Sequence, residues 1–171
     1  VLLSYGIEKR SRVRLDGASS LARRAQGEKV RRALELLPES NVFSFVQESD
    51  LPISKGYSSS TADMVSCLQA AALGLRQPLK AADLTRLCAM IEPTDSVAFA
   101  DWTVINPLTG QVVWQTDWRP ELYVYILEPV EMVTTLDLVR MKDSPSYPLE
   151  ESKRLLPLFQ EACQEKSLEK L

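Results

Sequence analysis

Histidine is absent from all 171 residues. Its absence excludes Ser-His-Asp and Cys-His nucleophile chemistry and any histidine-ligated metal site. Cysteine is scarce: Cys67, Cys88 and Cys163 are widely spaced in apolar helical contexts. This spacing predicts buried, reduced thiols rather than a disulfide framework or a zinc site. Only six glycines are present, too few and too scattered for a dinucleotide-binding fingerprint.

The chain also lacks an excess of positive charge and a long apolar run. The net charge is −3 and the pI is near 5.2, so no electrostatic footprint for nucleic acid is present. No apolar run approaches the roughly 20 residues that cross a bilayer, and the N-terminal segment does not fit a secretory signal. We therefore expect a cytoplasmic protein with neither a nucleic-acid nor a membrane partner.

Hydrophobic periodicity predicts a mixture of helices and strands. Strands are predicted at residues 11–15, 42–46, 100–106, 111–116 and 121–127, and helices at residues 28–37, 62–75, 81–91 and 149–166. The last helix is expected to be interrupted by Pro157. Because these elements do not alternate regularly as βαβα, the predicted fold class is α+β. Arg119-Pro120 is the predicted domain boundary.

The stretch LPISKGYSSSTADM, residues 51–64, places four consecutive hydroxyl side chains, residues 58–61, before an apolar segment. At a helix start these hydroxyls would lie beside backbone N–H groups that lack helical partners and attract anions. A Walker A motif is absent. The residues alone leave two interpretations open. One is a Gly/Ser turn that cradles phosphate, and the other is an ordinary N-cap made by Ser58 or Ser59.

A second stretch, MIEPTDSVAF at residues 90–99, carries two carboxylates. Glu92 closes the predicted helix 81–91 and faces the negative end of its dipole, which costs about 0.3–1 kcal/mol. Asp95 follows after Pro93. Two carboxylates in a stiff turn indicate a cation or a positively charged partner, while two solvated loop acids remain the simpler interpretation of these residues alone.

Taken together, KGYSSSTAD at residues 55–63 and EPTDS at residues 92–96 resemble the motifs of the GHMP small-molecule kinases. The closest likeness is to the branch that phosphorylates L-threonine in cobalamin synthesis and propanediol utilisation. The likeness can be followed from about Ser4 to the C-terminus. Tyr57 stands where Met or Leu is usual. Ser58 stands where Gly or Ala is usual, and this replacement narrows the space in which the backbone can approach a phosphate.

The resemblance implies a role for each matched residue. The ATP-binding residues would be Pro52, Lys55, Gly56, Tyr57, Ser58, Ser59, Ser60 and Thr61. Mg²⁺ would be held by Ser60, with Ser59 as the second choice, and by Glu92. Asp95 would either orient or deprotonate the substrate hydroxyl, or hold the substrate amino group. Lys55 would neutralise phosphate charge or stay solvated.

The resemblance also implies an architecture and a function. Residues 1–119 are expected to form an ATP-binding domain of the ribosomal S5 domain 2-like fold without its first strand, and residues 120–171 the beginning of a ferredoxin-like C-terminal domain. A family substrate motif resembling P-A-S-C-G-E is absent, so this chain alone is expected to show little or no turnover. No oligomeric state is predicted.

The expected reaction is transfer of the γ-phosphoryl group of ATP to the hydroxyl of L-threonine, giving O-phospho-L-threonine. Two alternatives stay open. The first is a GHMP kinase for another small alcohol, such as homoserine or an isoprenoid precursor. The second is a non-catalytic S5 domain 2-like binding module.

Overall fold

The computed structural model describes residues 2–16, 27–128 and 149–171. In chain order the elements are β1 (Leu2–Leu3), β2 (Ser11–Asp16), α1 (Glu28–Glu35), a 3₁₀ turn (Pro38–Val42), β3 (Ser44–Ser49), α2 (Ser59–Gly74), α3 (Ala81–Ala89), β4 (Trp102–Ile105), β5 (Val112–Thr116) and α4 (Leu149–Glu165). The mixed α/β content expected from the sequence is confirmed.

The strands form two small antiparallel sheets. One has the order β1-β4-β5, and the other pairs β2 with β3 from Ser11↔Ser49 to Asp16↔Ser44. Strand β2 alternates exposed arginines with half-buried Val13 and Leu15. This period-2 pattern turns one face of the sheet towards the helices.

Helix α2 forms the centre of the core. Met64, Cys67, Leu68 and Ala71 on this helix have no exposed surface, as expected for a helix that is apolar on nearly every side. Helix α1 contributes Val30, Ala33 and Leu34 to the same cluster, and α3 contributes Leu84 and Cys88. The start of α2 is therefore held in place by packing along the whole helix.

All three cysteines are free and buried, which confirms the prediction of buried, reduced thiols. Burial raises the pKa of the Cys67 and Cys88 thiols to about 12. Thiolates are the reactive form of cysteine. These two side chains are therefore inert parts of the core.

Aromatic side chains join α4 to the three-stranded sheet. The ring of Phe159 on α4 lies 5.7 Å from Trp102 and 5.7 Å from Trp114, centroid to centroid. Trp102 also contacts Tyr5 and Trp118 edge to face.

Within the described ranges, no helix combines the length and apolarity that crossing a bilayer requires.

Three predicted features differ from the structure. Residues 121–127 are exposed and form no strand. Helix α4 runs uninterrupted through Pro157. Proline removes one amide donor, and the burial of Ala162 and Cys163 helps to hold the helix. Val42, predicted to open a strand, instead ends the 3₁₀ turn that begins at Pro38.

Other boundaries agree to within a few residues, and α2 begins at Ser59 rather than at residue 62.

Candidate active site

The segment leading into α2 contains three residues with positive φ, namely Ser54 (58°), Gly56 (80°) and Ser58 (55°). A Cβ built on Gly56 would meet nothing within 4 Å. Its glycine is therefore favoured by the backbone conformation and not by crowding. A left-handed conformation costs an ordinary residue roughly 1–2 kcal/mol, so Ser54 and Ser58 hold local strain directly before the helix.

Ser58 occupies the N-cap position of α2, but its side chain forms no capping hydrogen bond. Its carbonyl accepts a hydrogen bond from the Ala62 amide at 2.9 Å, and its hydroxyl hydrogen-bonds Asp95 instead. The interpretation of Ser58 as an ordinary side-chain cap is therefore wrong. Ser59 lies inside the first turn and is not the cap residue.

The serine loop, residues 52–61, and the EPTDS stretch, residues 92–96, meet at Thr61. The Thr61 hydroxyl donates to Asp95 Oδ2 at 3.4 Å, and the Thr94 hydroxyl donates to Thr61 Oγ1 at 3.4 Å. The Thr94 amide donates to the Pro107 carbonyl at 2.9 Å, which anchors the stretch from its other side. Thr61 and Thr94 are almost completely buried. The first turn of α2 and the loop after α3 therefore form one packed unit.

Asp95 lies in this unit with an altered proton affinity. Burial raises the pKa of its carboxyl above the usual value of 3.8, and the nearby negative charge of Glu92 raises it further. Hydrogen bonds from Ser58 and Thr61 act in the opposite direction because they stabilise the charged form. A buried carboxylate with a raised pKa is suited to accept a proton from a substrate hydroxyl.

Glu92 is buried and paired. Its side chain is 3% exposed. Lys29 Nζ donates a hydrogen bond to Glu92 Oε2 at 2.6 Å, and the Lys29 side chain is 41% exposed. The other oxygen, Oε1, is buried and has no hydrogen-bond partner among the residues that the structure describes. The interpretation of Glu92 as a solvated loop acid is therefore wrong, and its positively charged partner is Lys29.

Lys29 and Glu92 are each placed at an unfavourable helix end. Lys29 lies in the first turn of α1, near the positive end of that helix dipole. Glu92 follows the C-terminal end of α3, and its amide donates to the Cys88 carbonyl at 3.2 Å. The attraction between the two charges offsets the unfavourable interaction of each charge with its own helix dipole. A cation in the first turn of α1 was a signal in the sequence that could have identified Lys29, which sequence reasoning missed.

Sequence reasoning also missed the connection of the EPTDS stretch to the N-terminal segment. The Ser4 amide donates to Ser96 Oγ at 3.1 Å, and the Ser96 amide donates to Ser4 Oγ at 3.2 Å. This reciprocal pair fixes the end of the stretch beside β1. No local pattern in the sequence points to such a contact.

Comparison with known proteins bears on this arrangement. Residues 24–102 match the GHMP kinases N terminal domain family. The matched range contains both the serine loop and the EPTDS stretch, so the resemblance to GHMP kinases that the two motifs indicated is confirmed.

Two curated proteins that are similar to this chain are named L-threonine kinase. The one from Citrobacter freundii is 35% identical over 94 residues, which is 55% of this chain and 33% of the relative. The one from Salmonella typhimurium is 31% identical over 102 residues, 60% of this chain and 34% of the relative. The chain thus spans about a third of the length of these relatives. No solved structure matches it.

The residues around Glu92 fit the chemistry of Mg²⁺. Among the described residues, no group of three or more His, Cys, Asp or Glu side chains is arranged to hold a metal ion. Mg²⁺ does not require one, since it is usually bound by one or two carboxylates together with phosphates and waters. The unpartnered, buried Oε1 of Glu92 is an oxygen of the kind that such an ion takes. That Glu92 and Ser60 hold such an ion stays a prediction.

The remaining predicted ATP-binding residues lie in the loop before α2 or in the first turn of that helix. Pro52 and Lys55 are half-buried, and Ser59 and Ser60 are half-buried in the first turn of the helix. The Tyr57 hydroxyl donates to Glu128 Oε2 at 3.4 Å, which connects the loop to the exposed segment that follows β5. Their contacts with a nucleotide stay predictions.

Proposed function

We propose that the protein is an ATP-dependent kinase that phosphorylates the hydroxyl of L-threonine and supplies O-phospho-L-threonine for cobalamin biosynthesis. The observation that carries the proposal is the buried carboxylate of Glu92, whose Oε1 lacks a hydrogen-bond partner among the described residues, within the range that matches the GHMP kinases N terminal domain family. The choice of acceptor is supported by the two relatives, both of which are L-threonine kinases.

The same proposal assigns the architecture. Residues 1–119 would be the ATP-binding domain, with the ribosomal S5 domain 2-like fold, and residues 120–171 the opening of a ferredoxin-like second domain. The contact of Phe159 with Trp102 would then join the two parts. A cytoplasmic location fits three reduced cysteines, since thiols persist in a reducing compartment.

The segment 52–61 would bind the triphosphate of ATP. Helix starts and turns with positive φ direct backbone N–H groups towards anions, and Ser54, Gly56 and Ser58 have such φ values. No side-chain cap occupies the first turn of α2, which leaves its amides available for phosphate oxygens. Lys55 would add positive charge beside the phosphates.

Asp95 would act on the acceptor. The threonine hydroxyl oxygen forms a bond to the γ-phosphorus while the bond from that phosphorus to the β–γ bridging oxygen breaks, and ADP leaves. In one version Asp95 takes the hydroxyl proton, and in the other it holds the substrate ammonium group. The burial of Asp95 and its raised pKa favour the first version. Phosphoryl transfer otherwise depends mainly on positioning and charge stabilisation.

Glu92 and Ser60 are the residues that would hold Mg²⁺. The ion, when bound, neutralises negative charge on the phosphate oxygens. The contribution of this chain is a fixed carboxylate oxygen at the end of α3 and a hydroxyl in the first turn of α2. Thr61 and Thr94 keep these two regions together through their hydrogen bonds.

The proposal is tested with the complete protein and a panel of acceptors. The purified protein is incubated with Mg²⁺, ATP and either L-threonine, L-homoserine or mevalonate, and the products are identified by ³¹P NMR. We expect O-phospho-L-threonine, with kcat/KM for threonine at least about tenfold above the other alcohols.

Each other outcome selects an alternative. Preference for homoserine or mevalonate would move the protein to another GHMP kinase activity. ATP binding without phosphorylation of any tested alcohol would refute the threonine assignment. The absence of both ATP binding and turnover would favour the non-catalytic binding module.

A further inference from the structure

We propose that Lys29 is the counter-ion of Glu92 in the nucleotide-free protein, and that it moves to phosphate oxygens when a metal–nucleotide complex binds. This inference rests on the proposed kinase function and adds a residue that lies in neither motif. Lys29 precedes the serine loop by more than 20 residues, and only the fold brings it to Glu92.

The two partners differ in their freedom to move. The Glu92 side chain is 3% exposed, whereas the Lys29 side chain is 41% exposed. Glu92 is followed by Pro93, and its amide is bonded to the Cys88 carbonyl, so its backbone is held. Lysine carries its charge on a flexible four-carbon stem. If the pair separates, Lys29 is therefore the partner that leaves.

A metal ion provides the reason to separate. Lys29 Nζ contacts Oε2 at 2.6 Å, and the remaining oxygen, Oε1, has no hydrogen-bond partner in the described part of the chain. A divalent ion on Oε1 would lie a few ångströms from the lysine ammonium, and like charges at that distance repel strongly in a partly buried site. The ion and Lys29 therefore compete for the negative charge of Glu92.

A nucleotide provides a new partner for the lysine. The triphosphate brings several negative oxygens next to the ion, and an ammonium-to-phosphate hydrogen bond is a strong, charge-assisted one. Lys29 can then exchange one carboxylate oxygen for a phosphate oxygen without losing a charged partner. Metal alone would not offer this exchange. Lys29 should thus oppose the bare ion and favour the ion together with nucleotide.

The opposite signs of these two effects define the experiment. In the Lys29→Met variant of the complete protein, Mn²⁺ binding without nucleotide is measured by EPR at about pH 8. Binding of a non-hydrolysable ATP analogue with Mg²⁺ is measured by calorimetry. We expect Mn²⁺ to bind several-fold more tightly than in the wild type, and the Mg²⁺–analogue complex to bind about tenfold more weakly, the loss expected for one charged hydrogen bond.

A matched control is Arg32→Met, which removes one positive charge from the exposed side of the same helix. It should leave both affinities near the wild-type values. Lys29→Arg retains the charge and should recover most of the affinity for the Mg²⁺–analogue complex. A thermal melt adds a readout that does not depend on nucleotide. Mn²⁺ should raise the Tm of Lys29→Met more than that of the wild type, because the ion then replaces the missing counter-ion.

If Lys29→Met does not fold, Lys29→Gln replaces it, since this variant removes the charge but keeps a donor for Glu92. Weakening of both affinities would show that Lys29 only supports the structure, and unchanged affinities would show that it has no part in binding. Either result overturns the proposal. A wild-type protein that binds no Mg²⁺–analogue complex would instead refute the proposed kinase function itself, so the two failures are distinguishable.

Discussion

The Thr61 hydroxyl donates a hydrogen bond to Asp95 across 3.4 Å, although 34 residues separate the two in sequence. Thr61 lies in the first turn of the helix proposed to face the phosphates, and Asp95 is proposed to act on the acceptor. This partly buried contact therefore joins the proposed nucleotide side of the site to the proposed acceptor side.

Glu92→Gln should mainly impair the use of metal. The amide keeps the size of the side chain but removes the negative charge, and it leaves Lys29 without an anionic partner. We expect kcat/KM for ATP to fall about a hundredfold or more, the scale seen when a group that stabilises transition-state charge is removed. The measurement is steady-state kinetics with Mg²⁺ varied at saturating threonine.

The control for this change is Glu48→Gln on strand β3, where the side chain is exposed. It removes the same charge from the surface and should leave the Mg²⁺ dependence unchanged. A Glu92→Gln enzyme with wild-type Mg²⁺ dependence would remove Glu92 from the metal site.

Asp95→Asn separates the two roles left open for Asp95. If the carboxylate accepts the hydroxyl proton, kcat should fall by roughly 10²–10⁴-fold while ATP binding is kept. If it only holds the substrate amino group in both ground and transition states, KM for threonine should rise instead. Kinetics with threonine and ATP varied independently distinguish these results. Wild-type values for both constants would exclude Asp95 from the active site.

The same substitution should increase stability at neutral pH. Burial raises the folded-state pKa of Asp95. The contribution of Asp95 to the free energy of unfolding is therefore favourable at low pH, and it is lost as the pH rises through the raised pKa. The uncharged asparagine escapes this loss. The free energy of unfolding is measured with urea at several pH values between about pH 4 and pH 7.5. The value for the variant minus that for the wild type should increase as the pH rises. A difference that decreases with rising pH would contradict the burial effect.

The Ser58 position permits a comparison of two variants that both lose the hydroxyl. Ser58→Ala keeps a Cβ in the left-handed conformation, whereas Ser58→Gly relieves that strain. The free energy of unfolding of Ser58→Gly should therefore be about 1 kcal/mol higher than that of Ser58→Ala, as measured by chemical denaturation. Equal stabilities would indicate that the strain at Ser58 is relaxed in solution.

Local patterns in the sequence predicted most of the elements and both motifs. The alternation of residues 11–15, the apolar length of the segment that became α2, and the unfavourable charge of Glu92 each depend on neighbours within one or two turns. Such signals can be found without the fold, because propensity and helix dipoles act over short distances. The predicted strand at 121–127 was wrong, since a strand also requires a partner that the local pattern does not specify.

By itself, the sequence determined a mixed α/β chain with a serine loop before a buried helix and two carboxylates in a proline turn. Only the tertiary structure decided which groups meet. Lys29 pairs with Glu92 and Thr61 bonds to Asp95, across 63 and 34 residues. Packing of α2 against its neighbouring helices and strands creates these contacts, and the same burial raises the pKa of Asp95. The cost of burying a charge depends on all the elements packed around it, and no local stretch contains that information.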